Sequence, residues 1–169
     1  MRSQLAPQGV EFTRVSENLI TARRIARGIT FVVLVAAAAM PLLLRSLGAW
    51  SGYPAWLAWL LPAATLAAVV WAFALIPRQV RAIGYAERND DLLIRQGIYF
   101  ERLMVVPYGR MQYVDVTVGP LERALGLSSL KLHTASPSTN AALPGLPATE
   151  AARLREQLTA RGEAKLAGL

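Results

Sequence analysis

The sequence predicts a helical transmembrane hairpin of two spans followed by a small all-β module, a sandwich or barrel closed by a C-terminal helix. Three observations carry this. The stretch from Pro54 to Pro77 is almost unbroken apolar sequence, with no charged side chain from Trp56 to Ile76, and meets the roughly 20 residues a helix needs to cross a bilayer. A second charge-free run lies between Arg27 and Arg45. From Ala82 onward the pattern changes to short alternating segments separated by turn residues, the signature of a small β domain. A hydrophobic content of 54%, a charged content of 17% and a mean hydropathy of +0.34 sit on the membrane side of ordinary soluble composition.

The first element, Met1 to about Thr13, holds Gln, Pro and Gly with little periodicity and reads as a mobile tail. From Arg14 to Arg27, Val15, Leu19, Ala22 and Ala26 recur at helical spacing, with Arg23, Arg24 and Arg27 at the end. This predicts a short amphipathic helix on the inner membrane surface, so that residues 1–27 form a tail and juxtamembrane helix. Residues 28–45 are the first span. The Ala-rich stretch near Ala36 to Ala39 has the small residues of a signal-peptide cleavage site, but Leu42 to Leu44 carry the apolar run past it, and an uncleaved anchor fits better.

Residues 46–54 read as an external loop in which Trp50 and Tyr53, with Trp56 and Trp59, form an interfacial aromatic belt; residues 55–77 are the second span. Between the two charge-free runs stands only Arg45, whereas Arg23, Arg24 and Arg27 precede the first run and Arg78 and Arg81 follow the second. By the positive-inside rule both termini are expected in the cytoplasm, and these five arginines are the candidate membrane-surface contacts of a multi-pass membrane protein. Gly28, Ala36 and Ala39 in the first span and Ala64, Ala68 and Ala72 in the second offer small residues for close helix packing. Neither span contains Asp, Glu, Lys or His, which argues against a transport path built from this chain alone.

The net charge of +7 does not indicate nucleic acid. Met1 to Arg81 holds eight Arg or Lys against two acids, whereas Ala82 onward holds ten against nine, so the basic excess hugs the membrane. Absence of cysteine removes thiolate metal sites and Cys nucleophiles, and one histidine, His133, is too few for a common zinc site. No cofactor, metal or catalytic residue is expected.

Within the module, Asn89-Asp90-Asp91 is a turn before Leu92, Leu93 and Ile94; Gly97 closes that strand and another begins at Ile98. Val114, Val116 and Val118 alternate with Tyr113, Asp115 and Thr117, and Leu130 and Leu132 with Lys131 and His133. After a loop around Pro137 to Asn140, a helix is predicted near Pro147 with Leu154 and Leu158 inward; the domain spans residues 82–162 and a tail 163–169.

The stretch from Val105 to Pro137 carries a resemblance. Pro107, Arg110, Gln112, Gly119, Pro120, Leu121, Arg123, Leu125, Gly126, Leu127, Thr134 and Ala135 stand where the bacterial pleckstrin-homology (PH) family of the YdbS/YdbT type has its pattern. The resemblance covers roughly residues 83–162 and also matches the preceding helical hairpin. It implies a PH-like fold, two nearly orthogonal antiparallel sheets closed by a helix. Pro107, Arg110, Gln112, Pro120, Arg123, Gly126 and Thr134 would then be structural, with Arg110 and Gln112 hydrogen-bonding within the fold or to a neighbouring domain. It also implies a partner, a larger membrane protein with several PH-like domains, or else a homo-oligomer.

Eukaryotic PH domains that read phosphoinositides use basic residues around the first hairpin. Here that turn is Glu87-Arg88-Asn89-Asp90-Asp91, whose acids repel phosphate, with Arg95 and Arg102 on flanking strands. His133, Ser128 or Ser129, and Asp115 are hydrolase residue types without a nucleophile elbow or oxyanion motif. The expectation is therefore an integral membrane protein, not an enzyme, presenting a cytoplasmic binding or assembly module. An anionic-lipid-binding module and an accessory subunit of an exporter or envelope-stress complex are the alternatives.

Overall fold

A computed structural model of the chain describes residues 9–50, 52–135 and 140–168. Pro137, part of the predicted loop, lies outside them, as do residues 1–8 of the predicted tail.

Two long helices come first, α1 (Asn18–Ser46) and α2 (Ala55–Arg81), both long and apolar enough to cross a membrane. Phe31 and Phe73 pack with ring centroids 5.1 Å apart. The less exposed positions form one stripe per helix: Gly28, Phe31, Val35, Ala39 and Leu42 on α1, and Ala58, Pro62, Thr65, Val69, Ala72 and Ile76 on α2. Steps of three and four residues put such positions along one seam. Three of the six predicted small packing residues are off it, since Ala36, Ala64 and Ala68 are exposed. Small size permits close approach, but helix phase decides which side chains face the neighbour. The Thr65 hydroxyl donates back to the Leu61 carbonyl at 2.9 Å, the local solution for a hydroxyl in an apolar segment.

The β module has two antiparallel sheets. Sheet A runs β1 (Thr13–Arg14), β2 (Gly84–Glu87), β3 (Asp91–Gln96) and β4 (Arg102–Pro107) in that order; sheet B runs β5 (Met111–Thr117), β6 (Leu127–Thr134) and β7 (Ala141–Pro147). A short helix α3 (Pro120–Ala124) joins β5 to β6, and α4 (Ala148–Leu166) follows β7. Leu92, Ile94 and Val106 of sheet A, Leu130, Leu132 and Leu143 of sheet B, and Ala151, Leu154 and Leu158 of α4 are buried and make the core. Each sheet is apolar on one face, and α4 supplies an apolar stripe at the three- and four-residue spacing that covers it.

The module departs from the sequence reading in four places. First, the predicted mobile tail contains a strand: Thr13 and Arg14 pair with Tyr85 and Gly84. Second, residues 14–27 are not a separate surface helix, because α1 is continuous from Asn18 and its first turns face protein. Val15, Leu19 and Ala22 are buried, and the Ser16 N–H donates to the Gly145 carbonyl at 2.9 Å. Gly145 has φ +74°, and a Cβ there would meet Leu19 Cδ2 at 2.6 Å, so the absent side chain is the space into which Leu19 fits. Third, β4 begins at Arg102 rather than Ile98. Ile98, Tyr99 and Phe100 form the turn instead, 38%, 73% and 93% exposed. Fourth, at the other end, α4 continues through the predicted tail to Leu166.

Candidate docking groove and the sites around it

Strand β5 pairs with β6 on one side only and is an edge of sheet B. Along it lies α4, leaving a shallow groove of about 80 Å³ lined by Met111, Gln112, Tyr113 and Val114 on the strand and Leu158, Thr159, Gly162 and Glu163 on the helix. A register shift between Met111 and Tyr113 leaves Gln112 without a cross-strand partner. An irregularity of this kind bends a strand and re-aims its side chains. The neighbouring Tyr113 ring is exposed and stacks on His133 at 4.3 Å.

What fixes the groove is a polar network that holds α4 against sheet A. The Tyr85 hydroxyl donates to Glu150 Oε1 at 2.6 Å, and Arg153 reaches both Glu150 and Glu87, the latter at 2.7 Å. About two turns on, Arg161 donates to the Tyr108 hydroxyl at 3.0 Å and the Arg88 carbonyl at 3.2 Å, and Lys165 meets Asp90 at 2.8 Å. The titration behaviour follows the contacts. The Arg153 hydrogen bond holds the Glu150 carboxyl below its ordinary range, and partial burial, then Glu150, pushes the Tyr85 hydroxyl up. The Lys165 hydrogen bond likewise lowers Asp90.

The hairpin read from the sequence as the first is the β2–β3 hairpin, because β1 precedes α1 and the link from β1 to β2 is the two long helices. Its turn lines an open concavity with Arg88, Asn89, Asp90 and Asp91. Its lone cation, Arg88, sits 3.6 Å from Asp91, and Asp90 is held by Lys165. The turn thus lacks the converging free cations a clustered phosphate requires. Nor is the hydrolase set assembled. The His133 ring stacks on Tyr113, the Ser129 hydroxyl donates to Glu122 at 2.7 Å, and Ser128 is buried. Among the described residues no His, Cys, Asp and Glu group suits a metal ion.

The residues of the sequence pattern divide. Pro107 ends β4 and enters a single 3-10 turn over Tyr108–Arg110. Pro120 opens α3, where the Glu122 carboxylate accepts the Gly119 N–H at 2.9 Å. Gly126 takes φ +67° before β6, and its carbonyl accepts the Ala148 N–H that starts α4. Thr134 is buried, its N–H donating to Asn140 Oδ1 at 3.0 Å. Arg110, Gln112 and Arg123 are exposed, and among the described residues their side chains make no hydrogen bond within the fold. Of the two roles expected for Arg110 and Gln112, within the fold or to a neighbouring domain, this geometry leaves the second, and Arg123 too makes no side-chain hydrogen bond among the described residues that would support a structural role.

Of the arginines flanking the spans, Arg24, Arg78 and Arg81 are exposed and Arg23 and Arg27 half-buried. Arg81 pairs with Glu17 at 3.5 Å. Sequence reasoning missed the root of α1 at Gly145 and the tip at Ile98–Phe100. A Leu-Pro-Gly-Leu run and a glycine before three apolar residues were the signals available.

The bacterial PH domain family model matches residues 13–162, starting at β1 and including both long helices. The UPF0699 transmembrane protein YdbS of Bacillus subtilis (strain 168) is 26% identical over 159 residues, an alignment covering 94% of this chain and 91% of that relative. No solved structure matches the chain.

Proposed function

The chain belongs to the bacterial PH domain family and is a transmembrane protein, and from that premise we propose that its β module is a membrane-tethered docking unit that takes an extended segment of another membrane protein. The observation that carries this is the open β5 edge beside α4. An unpaired edge offers backbone donors and acceptors to an added strand, while the adjoining groove admits alternate side chains for selectivity. Exposed Gln112 and Arg110 at one end of β5 supply polar contacts. The resemblance between family members suggests a larger protein with several PH-like domains as partner, with a second copy of this chain as the other candidate.

The module faces the cytoplasm in this reading. Pairing of β1 with β2 requires residues 13–14 and 84–85 to share one side of the membrane, which supports two crossings. Arg23, Arg24 and Arg27 ahead of the first charge-free run and Arg78 and Arg81 behind the second, against Arg45 alone between the runs, support the inner side. The family is not a known enzyme family.

Photocrosslinking in intact cells tests the proposal. A photoreactive residue at Gln112 should give a discrete adduct with another membrane protein or a second copy, and one at Lys131, on the outer face of β6, should not. Adducts from Lys131 alone, or an unpartnered monomer after mild extraction with no Gln112 adduct, would overturn the docking role.

A further inference from the structure

We infer that the β3–β4 turn, Ile98-Tyr99-Phe100, is an interfacial anchor that inserts into the headgroup region of the membrane that α1 and α2 cross. Phe100 is 93% and Tyr99 73% exposed, an arrangement that wastes two large apolar surfaces unless something covers them. Sheet register says where they point. Arg14 of β1 and Arg95 of β3 flank Gly84, the first residue of β2, so the end of β1, the start of β2 and the end of β3 lie at one edge of sheet A. From that edge the chain leaves for α1 and arrives from α2, with only Ala82 and Ile83 between Arg81 and β2, a reach of about 10 Å. Strand β3 runs on past Gly84 in the direction from which the chain came, and the turn lies beyond its last pair, Gln96 with Arg102.

The chemistry of the tip suits a lipid interface better than a protein pocket. Phenyl and phenol rings settle at headgroup level, and basic side chains beside them gain from anionic lipid. Arg102 is exposed and makes no ion pair among the described residues, while Glu101, the acid at the tip, is 4.0 Å from Arg95. Arg95 in turn lies over the Phe12 ring, 4.8 Å from its centroid. The turn is also held in shape: Gly97 has φ +106°, and a Cβ there would lie 2.1 Å from the Phe100 carbonyl oxygen. A tip fixed in shape loses little entropy on insertion.

The test uses the full chain, which contains no cysteine, so one introduced thiol can carry a polarity-sensitive nitrobenzoxadiazole probe. Proteins labelled at Tyr99→Cys, Phe100→Cys and, on the opposite turn, Asn89→Cys are reconstituted into phosphatidylcholine vesicles with phosphatidylglycerol. Both tip probes should emit blue-shifted light and lose emission when lipids carry a nitroxide near the headgroup, whereas the Asn89 probe should do neither. Adding Phe100→Ser to the Tyr99→Cys protein should abolish the quenching, and Phe100→Trp should keep it. Identical spectra from tip and Asn89 probes would overturn the inference. So would a blue shift without nitroxide quenching, which would mean that protein, such as a second copy, covers the tip.

Discussion

The Arg88–Asp90 turn and the Gly97–Glu101 turn close β3 at its two ends, and their side chains have opposite fates. At the first, Asp90 and the adjoining Glu87 are held by α4, and Arg88 lies 3.6 Å from Asp91, whose buried Oδ1 accepts no hydrogen bond among the described residues. At the second, Tyr99 and Phe100 stand in solvent. Magnitudes sharpen the contrast. An exposed ion pair contributes about 0–1 kcal/mol, whereas covering a Phe side chain is worth about 2 kcal/mol. The polar turn has therefore little left to offer a ligand, and the apolar one retains most of what it could gain. The turn that the sequence reading matched to the ligand-binding hairpin is here a structural fastener between β2 and β3, and the turn at the other end of β3 keeps its apolar surface uncovered.

That contrast can be broken or sharpened by substitution. The largest effect belongs to Gly97→Ala, which forces a side chain onto the Phe100 carbonyl at a left-handed backbone position. Urea unfolding of the full chain in mild detergent should show a loss of about 3 kcal/mol. Glu87→Ala comes next. It removes contacts to both Arg153 and Arg161, half-exposed on the helix side, and should cost about 1–2 kcal/mol in the same assay while leaving the lipid exposure of the tip unchanged.

Acid should loosen the fastener in a defined direction. Because the folded Glu150 carboxyl lies below its ordinary value of 4.5, its stabilising effect is complete above that pH and is lost as pH falls through the lower folded value. Glu150→Gln should flatten this part of the acid limb of a stability–pH curve; an unchanged limb would remove Glu150 from the account. The smallest effect on stability belongs to Phe100→Ser, which should alter urea unfolding by less than about 0.5 kcal/mol because the ring is almost wholly exposed. A large loss there would make Phe100 a core residue and erase the comparison.

Much of the architecture was legible in the sequence because its signals are long or periodic. Two charge-free runs define the spans, and strict alternation in β5 and β6 marks the strands, as in buried Leu130 and Leu132 against outward Lys131 and His133. The short features were not legible. Two residues, Thr13 and Arg14, contain no period, so β1 could not be distinguished from a tail. Leu19 and Ala22 form an apolar stripe, but a stripe does not say whether lipid or protein will cover it; only Gly145 on β7 decides that. Ile98, Tyr99 and Phe100 favour strands intrinsically, and the register of β3 with β4 overrides that preference by placing them in the turn. The groove was foreseeable in outline, as an edge beside a terminal helix. The polar network behind it was not, since Glu87 and Arg153 are 66 positions apart.

The pairing of Thr13–Arg14 with Gly84–Tyr85 gives this domain an unusual assembly history. Its first strand leaves the ribosome some 70 residues before the strand it joins, with both spans synthesised in between. Sheet A therefore cannot be completed until the second crossing has been made, and a fragment starting at Ala82 lacks an edge strand and the leucine plug at Gly145. A water-soluble version has to be spliced rather than trimmed, with the segment ending near Ala22 reconnected to Pro77, and the proximity of Glu17 to Arg81 makes a short bridge feasible.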